Sequence, residues 1–324
     1  MMALSSCRCS SRPVRRPSLC EPLAVAEAVA VTFARDILSA VSGWQEFEAN
    51  GTTGWRKGEG ATLALVLHGG PGLTEYTVDL CEEVLAGGDG SLRVARYQQR
   101  GVPPSSTDGP FTVANLVADA IGVLDHLDAA DALVVGHSWG GHLAMHVAAA
   151  HPERVAGLLL LDSLAAVGDG GTGTMSAVID GRISADARAA RHALAVQEGL
   201  SDDERGTREL GLIWRGYFKD PDQAPPMPPI STHQLGGSVM GDAMQLLAEG
   251  ALEAALPTLE VPSLHLIGAH SPIEPAANER TAALLPGSIV EVHDVGHFAW
   301  LEEPGSVEAA TRRLLAAVTV SSGN

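Results

Sequence analysis

The residue with the clearest potential for chemistry is Ser138, at the centre of the sequence Gly-His-Ser-Trp-Gly at 136–140. An apolar run at 132–135 precedes it and an alanine-rich helical segment follows. This order predicts a tight strand-to-helix turn that lifts the serine hydroxyl clear of a sheet, as a nucleophile requires. Gly136 and Gly140 are expected to flank the turn because a side chain at either position would collide with neighbouring backbone.

A serine nucleophile also needs a base and a carboxylate that orients the base. His297 follows the last predicted strand and is the expected base. Two carboxylates are candidates for the acid: Asp162 ends the strand after the serine helix, and Glu274 lies on the loop after the strand at 263–267. Asp294 is close to His297 in sequence, but adjacency along a loop seldom gives the required geometry. Asp162 is the preferred candidate and Glu274 the runner-up, although chain order alone accepts both equally.

A glycine-rich loop, His-Gly-Gly-Pro-Gly at 68–72, directly follows a predicted buried strand. Such a loop brings backbone N–H groups close to a ligand and is expected to form an oxyanion hole. Gly70 is the expected donor because Pro71 has no N–H. His142 and His146 have helical i,i+4 spacing but lack the glutamate and third ligand of a zinc site, so both are interpreted as structural. Neither a metal nor a cofactor is expected.

The elements that must position these residues alternate along the chain. Buried strands are predicted at 62–67, 92–97, 132–135, 155–161, 263–267 and 288–292, with a hairpin within 44–55 and helices at 112–127, 139–150 and 304–318. This alternation predicts an α/β fold with a mostly parallel, doubly wound sheet and helices on both faces. The candidate site residues all follow strands, so they should meet at the carboxyl edge of the sheet.

The alternation stops between residues 165 and 256, where glycine-rich turns, helical segments and a proline cluster occur. We interpret 165–256 as a helical cap inserted into a core formed by 41–164 and 257–320. Residues 1–40 are interpreted as an N-terminal extension that is disordered, processed or a misassigned start. Its Ser, Arg and Pro content also resembles a targeting segment, although an apolar signal core is missing.

Composition excludes several classes of protein. The net charge of −18 argues against nucleic-acid binding, and no apolar run approaches the ~20 residues of a membrane span. Three of the four cysteines lie in the first 20 residues, which leaves Cys81 alone in the core. A disulfide framework is therefore not expected, and a cytoplasmic location is predicted. A small molecule or short peptide is the expected substrate, and the oligomeric state is left open.

Together these motifs resemble the α/β-hydrolase superfamily, and within it the proline iminopeptidase-like branch. The resemblance covers about residues 45–320 and rests on 68–72, on Gln-Arg-Gly at 99–101, on 136–141 and on Gly-His at 296–297. It implies a cofactor-free serine hydrolase that removes an N-terminal proline or other apolar residue from short peptides. It also implies that the Trp139 N–H joins Gly70 N–H in the oxyanion hole.

The chain departs from that family pattern at two positions. Gln98 stands where the family has Asp, which is expected to affect a supporting loop. Ser271 stands where the pattern Gly-x-x-Asp places the catalytic acid, and a serine cannot carry the charge that stabilises an imidazolium. Asp162 occupies the position from which haloalkane dehalogenase-like members of the superfamily supply their acid.

The substrate remains open between three readings. An aminopeptidase needs carboxylates for the substrate ammonium group, and the cap offers several: Glu198, Asp202, Asp203, Glu204 and Glu209. An esterase or lactonase acting on small apolar esters is the alternative. A third reading, prompted by Ser271, is a ligand-binding protein that has lost hydrolysis.

Overall fold

The computed structural model describes residues 43–322, so the predicted N-terminal extension at 1–40 lies outside the described residues. Eight strands form one sheet. Their bounds are β1 Gln45–Ala49, β2 Thr52–Lys57, β3 Thr62–Leu67, β4 Leu92–Tyr97, β5 Ala132–His137, β6 Val155–Leu161, β7 Ser263–Gly268 and β8 Ile289–His293.

The α-helices of the described part lie between and after these strands. In the core they are α1 Val78–Gly87, α2 Val113–His126, α3 Trp139–Ala150, α10 Pro275–Leu284, α11 Ala299–Glu302 and α12 Ser306–Ser322. Between β6 and β7 they are α4 Met175–Arg182, α5 Ala185–Ala195, α6 Asp202–Ile213, α7 Gln234–Gly237, α8 Val239–Ala248 and α9 Ala251–Ala255. Three-ten turns occur at Pro152–Arg154, Trp214–Tyr217 and Leu256–Thr258.

The strand order in the sheet is β1-β2-β4-β3-β5-β6-β7-β8. The pairs β1/β2 and β2/β4 are antiparallel, and every later pair is parallel. The predicted α/β architecture with a mostly parallel sheet is therefore confirmed, including the hairpin at its start. Because β4 and β5 lie on opposite sides of β3, the chain reverses its direction of winding there, and ligands bind at the carboxyl ends of strands beside such a point.

The core forms because the central strands are buried almost completely. All six residues of β5 are buried, and β3 and β6 each have five or more buried positions. Such continuous apolar runs are typical of parallel strands covered on both faces. Helix α2 begins as predicted, since Thr112 accepts the N–H of Asn115 with its side chain.

Residues 162–262 contain helices and turns but no strand of the sheet, in agreement with the helical character predicted for 165–256. One isolated antiparallel bridge joins this segment to the core, between Thr232 and Leu73. The segment therefore contacts the loop that follows β3. Within residues 43–322, no helix combines the length and apolar character needed to cross a bilayer.

Candidate active site

Ser138 lies at the turn between β5 and α3, with φ 56° and ψ −123°. A positive φ is unusual for a residue with a side chain, and such strain persists only where the surroundings impose it. Here β6 and the loop after it do so. The Ser138 N–H donates to Leu161 O at 3.0 Å, and the Ser138 carbonyl accepts the N–H of Leu164 at 3.0 Å.

The two glycines beside this turn are required for the reason predicted from the sequence. A Cβ at Gly136 would overlap the carbonyl of Gly140, and a Cβ at Gly140 would overlap the carbonyl of Leu67. Strand and helix thus approach more closely than any side chain permits. This prediction is confirmed.

His297 lies on the loop between β8 and α11, and its side chain is only 4% exposed. Its Nδ1 is hydrogen-bonded to Asp162 Oδ2. The loop is fixed by its backbone, because the His297 N–H donates to Tyr217 O at 2.9 Å and the Gly296 N–H donates to Glu302 Oε1 at 2.8 Å. Burial raises the pKa of Glu302.

Asp162 follows β6 directly and is buried, with a φ of 43°. Its Oδ1 accepts the N–H of Gly268 at 3.2 Å, and its Oδ2 accepts the hydroxyl of Ser271 as well as the imidazole of His297. Ser271 itself is held by the N–H of Ile273, which donates to its Oγ at 3.0 Å. The residue at the usual position of the acid therefore supports a carboxylate that comes from the neighbouring strand.

The structure places the other two carboxylates away from His297. Glu274 is exposed at the start of α10, where Arg280 is its ionic partner at 3.8 Å. Asp294 is 76% exposed, accepts a hydrogen bond from His270 at 2.9 Å and pairs with Lys219. The Lys219 bond, and secondly the His270 bond, lower the pKa of Asp294. Of the three candidates, Asp162 contacts the imidazole.

Ser138 and His297 face one cavity, together with Gly70. Within residues 43–322, no hydrogen bond joins Ser138 to His297. Gly70 has a φ of +129°, which favours glycine. Within the same residues, neither the Gly70 N–H nor the Trp139 N–H donates to a protein group.

Buried side chains fix the glycine-rich loop on which Gly70 lies. His68 Nδ1 donates to Gly69 O at 2.7 Å, and His68 Nε2 accepts the N–H of Gln99 at 3.2 Å. Burial lowers the pKa of His68 to about 4, so its ring is neutral as these bonds require. Gln98 spans the following loop, donating to Leu73 O at 3.0 Å and accepting the N–H of Glu75 at 2.8 Å. Its departure from the family pattern thus affects a supporting loop, as predicted.

The cavity is small and mainly apolar, with a volume of about 100 Å³. Sites for drug-sized ligands are typically ~300–1,000 Å³. Beside Gly70, Ser138 and His297, the lining residues are Leu73, Tyr76, Met175, Leu210, Trp214, Tyr217, Ile230 and Phe298. Five of these come from the 165–256 segment, which therefore forms part of the cavity wall. Among the described residues that line the cavity, no Asp or Glu occurs.

The acidic residues proposed to hold a substrate ammonium group have other partners or face solvent. Asp203 accepts the N–H of Gln234 at 2.7 Å, Glu204 closes a capping box with Ser201, and Glu209 pairs with Arg191 at 2.7 Å. The remaining two are exposed, namely Glu198 and Asp202. None of the five is among the described residues that line the cavity.

Other reactive side chains lie outside this arrangement. Cys81 is buried in α1, and burial raises the pKa of its thiol, so a reactive thiolate is not favoured there. His142 Nδ1 bonds Leu164 O at 3.3 Å, and burial lowers the pKa of His142 to about 3 and that of His146 to about 4. No group of three or more His, Cys, Asp or Glu side chains suited to a metal ion occurs within residues 43–322.

The sequence analysis assigned no individual role to three residues around the site. Tyr76 lines the cavity, Gln99 donates to His68 O at 2.8 Å, and Glu302 holds the loop before His297. Gln99 was visible only as part of a motif. Tyr76 lies in an irregular segment and Glu302 in a short helix, so neither position carries a periodic or motif signal.

The comparison with known families agrees with this fold. A model of the Alpha/beta hydrolase family matches residues 64–310, so the chain belongs to the alpha/beta hydrolase family. It is 28% identical over 226 residues to 3-oxoadipate enol-lactonase 2 of Acinetobacter baylyi, covering 67% of this chain and 78% of that protein.

Solved structures with other activities share the same fold. A thermophilic esterase from Thermogutta terrifontis has a TM-score of 0.60 at 22% identity, covering 85% of this chain and 98% of that one. Proline iminopeptidase from Mycobacterium smegmatis has a TM-score of 0.59 at 20% identity, covering 86% and 99%. Lactonase, esterase and iminopeptidase relatives therefore occur together, and the iminopeptidase branch is only one of several.

Proposed function

We propose that this protein is a serine hydrolase that cleaves small, uncharged esters or lactones through an acyl-enzyme. The observation that carries the proposal is the cavity itself. It holds Ser138 and His297, is otherwise mainly apolar, and has no Asp or Glu among its described lining residues. A neutral acyl group fits such a surface, whereas an ammonium group would lose its water without gaining an ionic partner.

The reaction follows from the roles assigned to these residues. Ser138 Oγ attacks the substrate carbonyl while His297 Nε2 takes the proton of the serine hydroxyl. The Gly70 and Trp139 N–H groups stabilise the oxyanion. His297 then protonates the leaving oxygen, which departs as an alcohol or, in a lactone, stays attached to the acyl chain. Water, deprotonated by His297, releases the acyl group from Ser138.

Asp162 is the proposed acid of this triad. Its carboxylate accepts the Nδ1–H of His297, which keeps Nε2 free to receive the serine proton. The ligand-binding reading was prompted only by Ser271, which stands at the position where the family pattern has a carboxylate. The contact between Asp162 and His297 supplies a carboxylate from another strand and so supports hydrolysis. The iminopeptidase reading is disfavoured because the five acidic residues considered for an ammonium site have other partners or face solvent.

A matched pair of esters tests the substrate class. The 4-nitrophenyl esters of cyclopentanecarboxylic acid and of proline share a ring size and a leaving group, and differ in the ammonium group. We expect kcat/KM for the cyclopentane ester to be higher by about tenfold or more, equivalent to ~1.4 kcal/mol. Ser138→Ala is the control and should abolish turnover of both. Preference for the prolyl ester would overturn the ester or lactone assignment and restore the iminopeptidase reading.

A further inference from the structure

Tyr76 and His137 form a continuous hydrogen-bond chain beside the cavity. The Gly69 N–H donates to Tyr76 Oη at 3.0 Å. Tyr76 Oη lies 2.7 Å from His137 Nδ1, and His137 Nε2 lies 2.9 Å from the carbonyl oxygen of His297. The Gly69 amide can only donate and the His297 carbonyl can only accept, so a neutral His137 carries its hydrogen on Nε2 and accepts at Nδ1. Tyr76 donates to Nδ1, and His137 donates from Nε2.

This direction requires a neutral His137 with its hydrogen on Nε2. The ring is fully buried, and burial, followed by the nearby His297, lowers the pKa of His137 well below its ordinary value. Both ring nitrogens and the tyrosine oxygen therefore have partners. Leaving any of them unpaired would be costly in this position.

The two ends of this hydrogen-bond chain lie on the two loops whose spacing matters for the proposed reaction. Gly69 precedes Gly70, the proposed oxyanion donor, and the other end is the backbone of His297, the proposed base. Resting on the proposed function, we propose that Tyr76 and His137 are positioning residues that fix the distance between the oxyanion hole and the catalytic base. His137 thus has a use beyond its place beside Ser138 in the motif.

Packing alone does not account for these contacts. The Tyr76 ring stands edge-on to His137 at 5.9 Å and to Phe298 at 6.2 Å between centroids. Phenylalanine at position 76 would keep both contacts and remove only the hydroxyl. Tyr97 provides a control, because its side chain is buried and its hydroxyl has no hydrogen-bond partner in the structure described here.

The first test is steady-state ester hydrolysis by Tyr76→Phe and Tyr97→Phe. We expect kcat of Tyr76→Phe to fall by about 10-fold to 100-fold with KM within about twofold, because displaced catalytic groups cost up to ~10²-fold in rate. Tyr97→Phe should keep the kcat of the unaltered protein. His137→Gln, whose amide can still donate to the His297 carbonyl, should retain more activity than His137→Leu. Equal kcat for the two tyrosine variants would overturn the proposal.

The second test does not depend on activity. Loss of the Tyr76 hydroxyl should speed amide hydrogen exchange in peptides covering Gly69 and also in peptides covering His297, while Tyr97→Phe should leave the latter unchanged. Unchanged exchange around His297 in Tyr76→Phe would overturn the positioning role. If the unaltered protein hydrolyses no ester but the exchange coupling is present, the proposed function fails and the structural link stands.

Discussion

The substitution Asp162→Asn tests the assignment of the acid because it changes charge and hydrogen-bonding pattern but not shape. Asp162 Oδ1 receives the Gly268 N–H, so the asparagine oxygen is expected to stay there. The amide NH₂ would then occupy the Oδ2 position, facing His297 Nδ1 and Ser271 Oγ. To accept from it, His297 must carry its hydrogen on Nε2 instead. That tautomer cannot take the proton of Ser138.

The expected loss is therefore that of an enzyme whose base is held in the wrong tautomer. Replacing the triad aspartate by asparagine in a serine protease lowers kcat by ~10⁴-fold, which corresponds to ~5.4 kcal/mol of barrier height. We expect a loss of that order for Asp162→Asn, measured as kcat with a 4-nitrophenyl ester at neutral pH. The fold should persist, which a circular dichroism spectrum and a thermal unfolding curve check.

Glu274→Gln is the matched control. Glu274 is exposed and its ionic contact with Arg280 is long. The kcat of Glu274→Gln should therefore stay within about twofold of that of the unaltered protein. A folded Asp162→Asn enzyme with unchanged kcat would refute the reasoning. So would a large loss in Glu274→Gln, which would move the acid to the loop after β7.

Two further predictions concern Ser271 and the buried histidine His265. Ser271→Ala removes a hydrogen-bond donor to the Asp162 carboxylate. A hydrogen bond to a charged group contributes ~1.5 kcal/mol, so kcat should fall about tenfold. A loss equal to that of Asp162→Asn would contradict the supporting role of Ser271. Burial lowers the pKa of His265 to about 4, so the unfolded chain binds its proton first and stability falls as pH drops from about 6.5 towards 4. In urea unfolding at several pH values, His265→Leu should reduce that dependence by about 1.4 kcal/mol per pH unit, and an unchanged slope would contradict it.

The sequence predicted most of the sheet, and it pointed to Ser138 and His297 as candidates, because the signals for these features are local. The turn at Ser138 follows from glycine spacing beside an apolar strand, and His297 follows from its place after the last strand. Both signals lie within a few residues of the group concerned. The structure brings Ser138 and His297 to one cavity, as that reading requires.

Chain order alone could not separate Asp162 from the runner-up Glu274, because both follow parallel strands that end at the same edge. The contact with His297 depends on how β6 and β7 pair and on the φ of 43° at Asp162, which no local pattern reports. The chain through Tyr76 and His137 was missed for the same reason, since it joins loops that are distant in sequence.

The acidic residues of the 165–256 segment illustrate a different limit. Their charge pattern suggested an ammonium site, but charge along a helix does not say which partner each carboxylate meets. In the structure Glu204 caps its own helix and Glu209 meets Arg191. The proposed substrate class therefore rests on the cavity lining rather than on composition.

The most direct test of the central claim is covalent labelling of the folded protein with a fluorophosphonate probe, followed by peptide mass spectrometry. We predict stoichiometric phosphonylation at Ser138, absent in Ser138→Ala and strongly slowed in Asp162→Asn. A folded protein that remains unlabelled, or that is labelled at another serine, would contradict the assignment of Ser138 as the nucleophile.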